Sequence, residues 1–113
     1  MSTARVPSRN YESSKWFKDY SRIRSKLCDY YEKMERKTSY SPTQKELEKL
    51  AQSMIDFLGN YHSEIGKQEG YFKKGIIDLT NIPEMHPTMQ RIATNTALKM
   101  TIEYLDQFLA NYS

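Results

Sequence analysis

The side chains best placed to do chemistry in this chain are cations. Arg5, Arg9, Lys15, Lys18, Arg22, Lys26 and Lys33 recur through its first third, with Arg24, Arg36 and Lys37 nearby. Lysines and arginines aligned along a helix displace counterions from a phosphate backbone, which is binding chemistry without turnover. Residues 1–37 carry ten Lys or Arg against five Asp or Glu, whereas residues 38–113 carry seven against nine. The overall charge of +3 is therefore concentrated at one end of the chain. Such asymmetry predicts an acidic partner, with nucleic acid, an acidic protein and an anionic surface as the classes that fit. The competing account is a solvated helix face in which Asp19, Asp29, Glu32 and Glu35 pair with lysines three or four residues away.

Nine tyrosines among 113 residues are a second resource. Tyr20, Tyr30, Tyr61 and Tyr104 fit a helical core with their hydroxyls at its margin. Tyr31, Tyr40 and Tyr71 fit that role poorly and are expected at an interface, where rings among cations stack on bases or anchor a protein partner.

Other chemistries lack their residues. His62 and His86 are the only histidines, with no neighbour at metal-ligand spacing, and Cys28 is the only cysteine. No internal disulfide, Cys-rich zinc site, phosphate-cradling glycine loop or catalytic pair can be assembled from these. The expectation is a non-enzymatic protein with no catalytic residue, no metal, no cofactor and no small-molecule substrate. A single cysteine suits a reducing compartment, so an intracellular (cytoplasmic or nuclear) location is expected. The N-terminus has no apolar stretch of signal-peptide length, and nowhere do 18 apolar residues run together, so no membrane insertion is expected.

The elements that must hold these residues are helical. Residues 1–9 are polar and basic and read as a flexible tail, and residues 10–113 as one helical domain with Asn10 as a cap. Trp16, Tyr20, Ile23, Leu27, Tyr30 and Met34 step by four and three, which predicts a helix over 11–37. Ser41-Pro42-Thr43-Gln44 resembles a capping box with proline in the first turn. It opens a second helix whose stripe is Leu47, Ala51, Met54, Leu58, Tyr61 and Ile65. A helix-turn-helix reading fails here, because the stripe runs on where a sharp turn is required.

All four glycines lie between residues 59 and 75. Gly66 suits a helix end, yet Phe72 continues the stripe seven residues beyond Ile65, and a second helix over 42–74 is preferred. Residues 75–86 are expected as an extended or single-turn connector, since Pro83 forbids helix through Ile82. The last helix, 87–111, is apolar over two overlapping stripes, which requires cover on several sides. The predicted fold is thus all-α, a three-helix antiparallel bundle with a short irregular connector before the last helix. If a second chain supplies part of the cover, Leu105 and Leu109 would lie at that interface, which makes a protein-interaction or self-assembly module the alternative to nucleic-acid binding.

Overall fold

A computed structural model describes residues 11–112, and its order is α1 (Lys15–Arg36), α2 (Gln44–Ile65), α3 (Glu69–Thr80) and α4 (Pro87–Asn111). A 3-10 turn at Gly66–Gln68 joins α2 to α3, and there is no strand among the described residues. The expected tail and the Asn10 cap lie outside the described residues. The predicted antiparallel helical bundle is the architecture observed, with its three long helices in place as α1, α2 and α4.

Every residue of the α1 stripe is buried, from Trp16 to Met34. The start of α1 meets the end of α4, where the Tyr20 hydroxyl donates to the Leu105 carbonyl at 3.0 Å. Its other end meets the start of α4 through Arg91. That guanidinium donates to the carbonyls of Met34 at 2.5 Å, Lys37 at 3.1 Å and Tyr40 at 3.3 Å. One side chain of α4 thereby satisfies the Met34 carbonyl that the last turn of α1 leaves open, and adds a donor to Lys37, whose carbonyl also accepts from the Tyr40 amide at 3.1 Å.

The cap of α2 lies two residues further on than the sequence reading has it. Thr43, in extended conformation, accepts from the Glu46 amide at 3.1 Å, and the Glu46 carboxylate accepts from the Thr43 amide at 2.9 Å. Pro42 is buried ahead of the cap rather than in the first turn. Gln44 is the first helical residue, so it cannot reach back as the third.

The larger correction concerns the stretch after Ile65. The helix does not run on to Lys74: it ends at Ile65, and Gly66 takes φ +51°, a backbone conformation that disfavours any side chain. The chain folds back, and α3 packs antiparallel to α2, with Phe57 stacked on Phe72 at 4.4 Å between centroids. Residues expected as an extended connector, Gly75 to Thr80, belong to α3, and Phe72, Gly75 and Leu79 form its buried face. Pro83 blocks helix only from Ile82 onward, which leaves residues 81–86 as the irregular connector.

The last helix begins as the sequence indicates, with Pro87 in the first turn and the His86 ring accepting from the Thr88 amide at 3.3 Å. It is covered by α1 on one side and α3 on the other, with Leu98, Leu105 and Phe108 wholly buried. It packs closely on α3 at Gly75, where an added Cβ would stand 2.8 Å from the Thr101 methyl. The Thr101 hydroxyl donates to the Ala97 carbonyl at 2.7 Å and leaves no orphan in the core.

Candidate anion-binding groove

Four of the expected cations share one line on α1. Lys15, Arg22, Lys26 and Lys33 are spaced by seven, four and seven residues, which keeps them within about 40° of each other around a helix of 3.6 residues per turn. That line borders α2. Asp19, beside it, accepts from the Tyr61 hydroxyl of α2, and Arg22 pairs with Asp19 at 2.7 Å.

Arg22 and Lys26 line a groove of about 400 Å³ between α1 and α2, with Ile23, Leu50 and Phe57 in its floor and Ser53, Asp56 and Asn60 on the far wall. A second hollow of about 360 Å³ continues it past Lys26, Leu50 and Ser53 to Tyr30, Glu46 and Lys49. Together they make a channel along the α1–α2 seam, with lysines on both banks.

The lining itself is balanced in charge, with Arg22, Lys26 and Lys49 against Asp19, Glu46 and Asp56, and the surplus of cations lies on the α1 edge, where Lys15 and Lys33 add to the line. Lys15, Lys26, Lys33 and Lys49 are not ion-paired with any described carboxylate. Lys26 stands over the Tyr30 ring at 5.6 Å and Lys33 over the Tyr40 ring at 5.5 Å, contacts that orient an ammonium while leaving its charge uncancelled. Of the acidic groups nearby, Glu46 is committed to the cap of α2. Asp19 is held below the usual carboxylate range by the Tyr61 hydrogen bond and then by Arg22, and the same bond pushes the Tyr61 hydroxyl up.

Not every expected site residue joins the groove. Lys18 sits about 60° away from the cationic line, on the outer face of α1 that also carries Asp29, Glu32 and Arg36. Arg5 and Arg9 lie outside the described residues. Tyr31, Tyr40, Tyr71 and Leu109 are half-buried against the core. Tyr71 faces α4, where its hydroxyl accepts from Asn111 at 3.2 Å and Lys74 stands over both its ring and that of Tyr104. Leu105 is a correction. It is wholly buried inside the single chain, so it has no surface to offer a partner.

The α2 bank was missed. Lys49, Ser53, Asp56 and Asn60 recur every three or four residues, a polar line beside the apolar stripe that was available in the sequence as a helix edge. What it lacked was a reason to face α1.

Elsewhere the reactive types are occupied or apart. Cys28 is half-buried in a hollow between α1 and α4 beside Phe17 and Leu109, and burial pushes its thiol up. Among the described residues no three His, Cys, Asp or Glu side chains converge as a metal site would need, and no helix is long and apolar enough to cross a membrane.

No family model, curated protein or solved structure matches this chain. What the groove holds follows from its lining, charge and shape alone.

Proposed function

We propose that the protein is a non-enzymatic, intracellular binding module that holds nucleic acid by its phosphate backbone along the cationic edge of α1. The observation that carries this reading is the alignment of Lys15, Arg22, Lys26 and Lys33 on one line beside a groove whose opposite bank adds Lys49. Arg5 and Arg9 extend the same run in sequence. Binding of this kind is a polyelectrolyte exchange, and its signature is salt. With the four unpaired lysines neutralising about four phosphates of a single strand, affinity falls roughly 50-fold between 50 and 200 mM salt. Fluorescence anisotropy with a labelled oligonucleotide measures it. A protein that binds no oligonucleotide at the lower salt, or binds with no salt dependence, overturns the reading.

A second reading rests on a different surface. Met85, Met89 and Ile92 are exposed within eight residues at the start of α4, an apolar cluster of the sort that anchors protein partners. Light scattering on the nucleic-acid-free protein distinguishes the two. A stable oligomer that dissociates on Met89→Ser and Ile92→Ser favours the protein interface.

A further inference from the structure

We infer that Gly66 is a hinge, and that with it straightened two copies of this chain pair by exchanging α3 and α4; the inference is independent of what α1 binds. The link between α2 and α3 turns on one residue. Ile65, Gln68 and Glu69 already lie in the right-handed helical region, and Gly66 alone among the described residues takes a positive φ, +51°. Rotating Gly66 into the helical region joins the 22 residues of α2, the three of the turn and the 12 of α3 into one helix about 55 Å long. No proline stands between Pro42 and Pro83 to oppose it. Glycine accepts both conformations, which is what a hinge needs. Gly59, Gly70 and Gly75 are helical already, so straightening adds no cost at them.

The buried faces of the two helices are in phase for such a form. Leu47, Met54, Tyr61, Ile65, Phe72 and Leu79 are all buried and step by seven, seven, four, seven and seven residues, so a straight helix carries them on one stripe. Within one chain that helix would pull Phe72 away from Phe57 and Gly75 away from Met54. A second copy restores both pairs in the same antiparallel register. Each lobe then holds α1 and α2 of one chain with α3 and α4 of the other, and the contacts of Tyr20 and Arg91 between α1 and α4 re-form across chains. The occupant is a second copy because the face that α3 vacates is shaped to α3 itself. Positions 57 with 72 and 54 with 75 set the two-fold axis midway, between Glu64 and Ile65, beside the hinge. There the two long helices make the new contact of the dimer, with Glu64 nearly opposite the partner's Lys67. Neither residue has an ion pair in the folded-back chain among the described residues. The folded-back form prevails when dilute, since closing the turn needs no second molecule.

Light scattering after refolding from urea tests this on the full unmodified chain and on three variants, each checked for folding by circular dichroism. The unmodified chain is expected to yield a dimer when refolded at about 1 mM and a monomer at about 10 µM. Gly66→Ala strains the turn, where a side chain meets a positive φ, and favours the straight helix. Each chain contributes about a tenfold shift, so dimerisation is expected to strengthen at least about a hundredfold. Inserting Gly-Ser-Gly-Ser after Gly66 breaks the straight helix while leaving room for the turn, and is expected to abolish the dimer. Met89→Ser combined with Ile92→Ser is expected to leave it intact. Differently tagged dimers should exchange chains only after unfolding, because exchange draws α3 and α4 out of a core. An unmodified chain monomeric at both concentrations, with Gly66→Ala monomeric or unfolded, overturns the inference. So does a dimer that Met89→Ser and Ile92→Ser dissolve, or one whose chains exchange without denaturant, since either marks a surface contact between folded-back chains.

Discussion

Gly75→Ala is expected to destabilise the protein, although helix propensity alone predicts the reverse. Gly75 lies inside α3, where alanine is worth about 1 kcal/mol over glycine. The added Cβ would stand 2.8 Å from the Thr101 methyl and 2.9 Å from the terminal methyl of Met54. Met54 yields cheaply, because its last carbon is the end of a flexible chain. Thr101 does not, since turning its methyl aside would also swing away the hydroxyl bonded to Ala97. Overpacking a buried site costs about 1–3 kcal/mol, so the net loss is about 1 kcal/mol, or roughly 4–8 °C in Tm. Thr101→Ser removes only the offending methyl and keeps the hydroxyl. In that background Gly75→Ala should turn stabilising, giving a coupling of about 1–2 kcal/mol between the two positions. Urea denaturation of the four proteins measures this cycle. If Gly75→Ala shifts the midpoint equally in both backgrounds, or raises it in the unmodified chain, the close approach of α3 to α4 is not what requires glycine.

Arg91→Met keeps the bulk of the side chain but strips the Met34, Lys37 and Tyr40 carbonyls, in the last turn of α1 and the loop after it, of their charged donor, and is expected to cost about 2 kcal/mol in urea unfolding. The Asp19 carboxyl titrates lower in the folded protein than in the unfolded chain, so its contribution is present above the usual value of 3.8 and is lost as pH falls through the lowered one. Asp19→Asn should therefore flatten the acid limb of a stability–pH profile. For Tyr20 the sign reverses. Burial raises its hydroxyl, so the contribution is full below pH 10 and is lost as pH rises beyond it, and Tyr20→Phe should remove alkaline destabilisation while costing a little at neutral pH.

The stripe of α1 was legible to the last residue, because that helix buries one face against both of its neighbours and the four-three rhythm records such a face directly. The stripe of α2 was legible except at its edges. Leu50 and Phe57 are buried outside it and Leu58 is only half-buried, since α2 packs on α1 and α3 at once and needs a wider apolar arc. The fold-back was hidden by a coincidence of register. Phe72 falls seven residues after Ile65 and is indeed buried, but from a helix running the other way. Thr94 and Thr101 escaped notice because threonine does not read as a core residue. Each satisfies its hydroxyl on a carbonyl four residues back, which lets it be buried. The cationic line of the groove could be read from α1 alone. Its opposite bank could not, because which edge of α2 faces α1 is set by the packing of the whole bundle.

The turn at Gly66 changes the parity of the bundle. With α3 folded back on α2, the chain crosses the molecule an even number of times, and Tyr11 and Tyr112 arrive at the same end, both against Trp16 with ring centroids at 6.0 and 4.6 Å. Had α2 run straight on, an odd number of crossings would have set them a helix length apart, about 33 Å for 22 residues. A circular permutant follows directly: joining the ends by a short linker and opening the chain in the irregular segment 81–86 should leave every helix pairing intact, whereas reopening within α3 should not.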